Sequence, residues 1–137
     1  MKIVPYLSFD GTCEAALKFY EQCLGGKIEF GMTYGESPMA ATLPPEWGNR
    51  IYHATLSVGD QTLGAADALP GPYLTPQGIS LTLATKTIEE ADRVFGGLSE
   101  NGAVQMPIQE THWSPRFGVL TDQFGIPWII NCDTAGS

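Results

Sequence analysis

From Ile3 to Phe9 the chain is extended and apolar, until Asp10-Gly11-Thr12 breaks the run with residues suited to a turn and a helix N-terminus. Ala16, Phe19, Tyr20, Cys23 and Leu24 then fall at i, i+3, i+4, i+7 and i+8, the spacing of one buried helical face, and Gly25-Gly26 supplies a stop. A helix is predicted over about 12–24. The second half reads the same way: Ile79 to Ala84 is a short apolar strand and Thr87-Ile88-Glu89-Glu90 a capping box. Ala91, Val94, Phe95 and Leu98 form a second helical stripe, closed by Asn101-Gly102.

Sliding the sequence by 76 residues places Ile3 on Ile79, Leu7 on Leu83, Glu14 on Glu90, Ala15 on Ala91, Phe19 on Phe95, Gly26 on Gly102 and Ile28 on Val104. The recurrence of strand, turn, helix, glycine stop and strand in one order is read as an internal duplication. Further strands are predicted at about Lys27–Tyr34, Ile51–Val58 and Gln61–Asp67, and at about Ala103–Trp113, Phe117–Thr121 and Ile126–Cys132, with turns at Gly59-Asp60 and Asp122-Gln123-Phe124-Gly125. The fold expected is α+β: one domain over 1–137, made of a βαβββ module at 1–67, a linker at 68–78 rich in Pro and Gly, a second βαβββ module at 79–132 and a tail at 133–137. Each module is too small to stand alone, so the two are expected to share a curved mixed sheet with helices on one side and a ligand-sized concavity on the other, between modules or between subunits. The loop Gly35–Arg50, with Pro38, Pro44, Pro45 and Trp47, exceeds the usual connection length and reads as a lid, an interface loop or an ordered surface loop. Sheet edges left by two half-barrels favour a homodimer, which would cover them.

Composition narrows the partners. In 137 residues, 43% hydrophobic and 16% charged, there is apolar surface enough to fold, and 15 acidic against 7 basic residues give a net charge of −8. That balance argues against non-specific binding to nucleic acid or to an anionic membrane. No apolar run reaches the ~20 residues of a membrane helix, and Pro5 interrupts the N-terminal stretch too early for a signal peptide. Cys13, Cys23 and Cys132 lack metal-type spacing, and within one helix Cys13 and Cys23 lie ~15 Å apart along the axis, out of disulfide reach. Free buried thiols and a cytoplasmic location are expected.

Four residues are candidates for acid–base chemistry. His53 alternates with Thr55 and Ser57 along its strand, opposite Tyr52, Ala54, Leu56 and Val58, and is expected to face the concavity or to be hydrogen-bonded within the sheet. Glu110 and His112, two apart near a strand end, would share a face as metal ligands, as a carboxylate orienting an imidazole, or as an exposed polar end. Asp67 ends its strand, where it serves a pocket or accepts backbone N–H groups. Tyr6, Trp113 and Phe117 offer aromatic surface; Arg116 offers either a cation for an anionic ligand group or an ion pair with a nearby acid, and Trp128 reads as core. Walker A, dinucleotide-binding, Gly-x-Ser-x-Gly and His-Glu-x-x-His motifs are absent.

The chain resembles the vicinal oxygen chelate superfamily of glyoxalases, bleomycin-resistance proteins and extradiol dioxygenases, and within it the PhnB-like, or 3-demethylubiquinone methyltransferase-like, branch. The resemblance rests on Pro5-Tyr6-Leu7-Ser8-Phe9, the Phe19-Tyr20 helix with Leu24-Gly25-Gly26, Ile51-Tyr52-His53-Ala54, Ala66 to Gly71, Phe117-Gly118, Asp122 to Gly125 and Pro127 to Asn131. It implies a glyoxalase-like fold and a dimer. Superfamily enzymes hold a divalent metal through four strand positions; by the resemblance these fall on Pro5 or Tyr6, near Asp67, near Ile79 or Ser80, and on Ile129. Only Asp67 among them is a carboxylate, so the metal site is expected to be lost and no cofactor is expected. No glycine-rich strand-to-helix turn followed by an acidic strand end is present for a methyl-donor nucleotide. The function expected is binding of a small molecule in the concavity, through Tyr6, His53, Asp67, Trp113, Arg116 and Phe117. The alternative is a lyase, isomerase or dioxygenase type of enzyme with an atypical metal site built from His53, Asp67, Glu110 and His112.

Overall fold

In the computed structural model, described over residues 1–133, the chain divides into two units that part between Tyr73 and Leu74. Of the expected tail, residues 134–137 lie outside the described residues. The first unit runs β1 (Tyr6–Phe9), α1 (Cys13–Leu24), β2 (Lys27–Thr33), β3 (Ile51–Val58) and β4 (Gln61–Asp67). The second runs β5 (Leu81–Thr85), α2 (Ile88–Leu98), β6 (Ala103–Gln109), β7 (Phe117–Thr121) and β8 (Pro127–Cys132). Each unit is βαβββ with one four-stranded mixed sheet, ordered β1-β4-β3-β2 and β5-β8-β7-β6, in which the first strand lies parallel to the last and the other pairs are antiparallel. The duplication read from the sequence is thus a duplication of topology.

Each helix covers one face of its own sheet. On α1 the buried stripe is Cys13, Ala16, Leu17, Tyr20 and Cys23, so Leu17 takes a place expected of Phe19 and Leu24, which are half-buried. It packs over Leu7, Phe9, Ala54, Leu56 and Ala65, the alternate residues that β1, β3 and β4 turn inward. On α2 the stripe is Ala91, Val94, Phe95 and Leu98, as the periodicity predicts, against Leu120, Trp128 and Ile130. Thr87 caps α2 by accepting the Glu90 N–H at 3.1 Å, while the Glu90 carboxylate reaches back to the Lys86 N–H at 3.4 Å. Trp128 is core, and its indole N–H donates to Asp122 Oδ2 at 2.8 Å.

Strand boundaries differ from expectation at three places. β1 begins at Tyr6, after Pro5, and β5 at Leu81, leaving Ile3 and Ile79 exposed. β6 ends at Gln109 rather than near Trp113, because its pairing with β7 slips twice between Val104 and Gln109, around Pro107, which has no N–H to donate. The 76-residue offset holds as far as β2 and β6, which begin at Lys27 and Ala103, and then fails. Residues 34–50 separate β2 from β3, whereas 110–116 suffice between β6 and β7; conversely the two-residue turn Gly59-Asp60 becomes 122–126 in the second unit. Among the described residues no helix is long and apolar enough to cross a membrane.

The packing of α2 leaves one position without room. A Cβ on Gly118 of β7 would stand 2.5 Å from Phe95 Cε2 and 3.1 Å from the Ile108 backbone. Gly118→Ala is expected to destabilise the protein by roughly 1–3 kcal/mol through overpacking, read as a lowered denaturation midpoint with an unchanged slope in urea; an unchanged midpoint would contradict this packing.

Candidate functional site

The face of the first sheet turned away from α1 carries the pairing that most resembles a site. β3 alternates as its sequence predicts: Ala54 and Leu56 are buried under the helix, and His53 is exposed on the other side. Tyr6, on the far side of β4, reaches it. The Tyr6 hydroxyl lies 3.1 Å from His53 Nδ1, and the two rings are near parallel, 16° apart in plane with centroids at 5.8 Å. The approach is possible because Tyr6 pairs with Gly64 in the parallel β1–β4 register. A Cβ there would sit 2.5 Å from Tyr6 Cδ2 and 2.8 Å from Cε2, so a side chain at 64 would lift the ring off the sheet. Burial of the Tyr6 hydroxyl pushes its pKa up, with the Cys13 and Tyr52 groups adding in the same direction. On the other flank His53 pairs with Met32 beside the irregularity in β2.

Asp67 lies at the end of β4, only 2% exposed, and its two carboxylate oxygens are both engaged by backbone. Oδ1 accepts the Cys13 N–H at 3.0 Å, and Oδ2 accepts the Ile51 N–H at 2.8 Å, while its backbone carbonyl accepts the Tyr34 hydroxyl at 2.7 Å. It therefore caps α1 in place of Thr12, whose side chain makes no capping bond. Burial, then the negative charge of Asp67, then Glu14 push the Cys13 thiol up to about 12, the property of an inert thiol rather than a nucleophile. Among the described residues all three cysteines are buried and free.

The long loop is built around the same node. It contains short 3-10 turns at Tyr34–Glu36, Ala40–Thr42 and Pro45–Trp47, the first closed by a reciprocal Thr33–Glu36 capping box. Tyr34 is buried, with Trp47 and Tyr52 packed edge-on at 5.5 and 5.4 Å, and the Arg50 guanidinium stands 4.1 Å from the Trp47 ring centre. None of Tyr34, Trp47 or Arg50 was marked by a motif, and their convergence depends on the loop's closure.

In the second unit, Glu110 and His112 do not share a strand face. β6 has already ended, and both lie exposed in a turn that the Thr111 N–H closes onto the Ser114 carbonyl at 2.8 Å. Trp113 is 63% exposed and meets Phe117 edge-on at 5.4 Å. Glu110, Thr111, His112 and Trp113 line one open depression. Arg116 donates to Asp92 Oδ1 at 3.1 Å and to the Pro115 carbonyl at 2.7 Å, which is the ion-pair alternative read from the sequence. Asp122, which the sequence marked only as part of a turn, is a buried carboxylate that accepts the Phe124, Ile126 and Trp128 N–H groups.

The donor set does not fit the metal centre that the resemblance would imply. Ile129 has no ligating atom, and both oxygens of Asp67 already accept backbone N–H groups. Among the described residues no three His, Cys, Asp or Glu side chains are grouped to hold a metal ion.

Comparison with known proteins agrees with the topology. Residues 1–131 match the family described as 3-demethylubiquinone-9 3-methyltransferase. Protein YjdN of Escherichia coli K12 is 34% identical over 139 residues, covering 96% of this chain and 95% of its own. The crystal structure of PA1353 from Pseudomonas aeruginosa is 42% identical with a TM-score of 0.89, covering 98% of both chains, and the solved structure of a putative 3-demethylubiquinone-9 3-methyltransferase, PhnB protein, from Bacillus cereus is 28% identical with a TM-score of 0.82, covering 97% of this chain and 100% of its own. The fold recurs in a glyoxalase/bleomycin resistance/dioxygenase superfamily member from Sphaerobacter thermophilus, 19% identical with a TM-score of 0.58, covering 97% of this chain and 98% of its own.

Asp67→Asn would set an amide N–H2 against one of two buried backbone N–H groups and is expected to cost roughly 1–3 kcal/mol in chemical denaturation. The Cys13 thiol has a folded pKa of about 12 against an ordinary 9.0, so the folded state holds its proton more tightly. Its contribution is therefore complete below pH 9 and lost as pH rises toward 12. Stability is expected to fall over that window, and less steeply in Cys13→Ala; identical slopes for the two proteins would refute the assignment to Cys13.

Proposed function

The chain belongs to the 3-demethylubiquinone-9 3-methyltransferase-like, PhnB branch of the glyoxalase/bleomycin resistance/dioxygenase superfamily, and from that premise we propose that it is a small-molecule-binding protein whose site lies on the sheet face carrying Tyr6 and His53. The observation that carries this reading is the Tyr6–His53 pair itself, two polar aromatic rings held together across Gly64 and left exposed. A pair with only a structural role would be expected under the helix, where its hydrogen bond would satisfy buried groups. In this reading Asp67 acts from beneath, holding α1 and β3 in place. Methyl transfer and a resident metal are not part of it. The buried free thiols suit a reducing cytoplasm. The outer strands β2 and β6 expose Phe30, Val104 and Met106, which suits a homodimer, tested by sedimentation at micromolar concentration.

The binding reading is tested by a thermal-shift and tryptophan-fluorescence screen of flat neutral and cationic aromatic compounds. Ligands that stabilise the protein are expected to lose about tenfold or more in affinity on His53→Ala, on the order of 1.4 kcal/mol; undiminished binding to that variant would remove the site from this face. Elemental analysis of purified protein is expected to find no stoichiometric Ni, Zn, Fe or Mn, and a stoichiometric metal would favour the enzymatic alternative.

A further inference from the structure

We propose that Tyr6 is a positioning residue that holds His53 in its Nε2–H tautomer, so that the site selects planar, neutral ligands bearing a carbonyl-type acceptor oxygen. The inference rests on the reading that this face is the ligand site and gives it a chemical class.

A phenol hydroxyl is a strong donor and a poorer acceptor, whereas the unprotonated nitrogen of neutral imidazole is a good acceptor. At 3.1 Å between Tyr6 Oη and His53 Nδ1, the stronger arrangement is therefore O–H donating to Nδ1. Neutral imidazole carries one proton, and with Nδ1 committed as acceptor that proton resides on Nε2. Among the described residues the Tyr6 hydroxyl is the one hydrogen-bond partner of the His53 ring, and His53 is exposed, so the Nε2–H is left for a ligand to meet. Bound this way, His53 is a donor, neither a ready base nor an open metal ligand.

Two further features shape the ligand. The Tyr6 and His53 rings are 16° from parallel with centroids 5.8 Å apart, and Tyr6 lies against the sheet where Gly64 has no side chain, so the exposed pair offers an aromatic ring face on which a flat molecule can stack. The net charge of −8 disfavours a free anion. An acceptor that is neutral, such as a ketone, ester or amide oxygen, satisfies both constraints.

The test uses the two-histidine composition of the chain, with His112 on its exposed turn as internal reference. Side-chain 15N spectra are recorded at a pH where both imidazoles are neutral. In the wild-type protein the His53 nitrogens are expected at the separated shifts of a single Nε2–H tautomer. In Tyr6→Phe, which keeps the ring over Gly64, they are expected to move toward each other, as in an averaging imidazole like His112. A wild-type Nδ1–H signature, or His53 shifts unchanged by Tyr6→Phe, overturns the proposal. The ligand class is read by titrating acetophenone against its oxygen-free isostere α-methylstyrene. Acetophenone is expected to bind about tenfold more tightly and to move the His53 Nε2 signal, with the preference reduced in Tyr6→Phe; equal affinity for the two probes overturns the acceptor class. If the tautomer behaves as expected and neither probe perturbs His53, the tautomer lock stands and the assignment of this face as the ligand site falls.

Discussion

A single buried carboxylate holds the first unit together. Asp67 accepts the first backbone N–H of α1 with one oxygen and the first of β3 with the other, and its own carbonyl receives the Tyr34 hydroxyl from the long loop. These contacts span 54, 16 and 33 residues of chain, so this side chain ties helix, sheet and loop at one point. A carboxylate 2% exposed is costly to bury unless its lone pairs are satisfied, and here charge-assisted bonds to two N–H groups that the helix and strand ends would otherwise leave unmatched do so. The negative charge placed at the α1 N-terminus is also favourably aligned with the helix dipole, and it adds to the burial that keeps the adjacent Cys13 protonated.

The second unit reaches the same topology with local means. α2 is capped by its own Thr87 and Glu90. The end of β8 is held by Ser114, whose hydroxyl lies 3.0 Å from the Cys132 carbonyl and 2.7 Å from that of Arg116. Asp122, within its own turn, closes β7 to β8 and anchors Trp128. Two copies of one fold have thus placed their buried carboxylates differently. The first uses Asp67 to support a loop of 34–50; the second shortens that loop to 110–116 and spends its carboxylate in an enlarged turn.

The asymmetry bears on function. The first unit presents an open sheet face with Tyr6 and His53 side by side, stabilised from below by the Asp67 node. The second presents the Trp113–Phe117 pair beside an exposed turn carrying Glu110 and His112. Ile129 offers no ligating side-chain atom and both oxygens of Asp67 accept backbone N–H groups, while the first unit exposes the Tyr6–His53 pair.

Much of the fold was legible along the chain, because its signals are local. The period-2 alternation of β3, the 3.6-residue stripe and Thr87 cap of α2, and the Gly59-Asp60 turn each depend on residues within one or two turns of one another, and they fall where predicted. The family resemblance followed from the order of those elements. Only the tertiary structure decided the rest. Leu17 displaced Phe19 and Leu24 from the buried stripe because the sheet beneath α1 chose the face. β6 stopped at Gln109 because its partner's register slipped, which separated Glu110 and His112 from any strand geometry. The Asp67 node and the Tyr6–His53 pair join residues tens of positions apart, through a parallel strand pairing and a glycine whose missing Cβ has meaning only once Tyr6 lies over it. Sequence periodicity specifies which side of an element is apolar; which distant polar group meets another is set by sheet register, and that is a property of the folded chain alone.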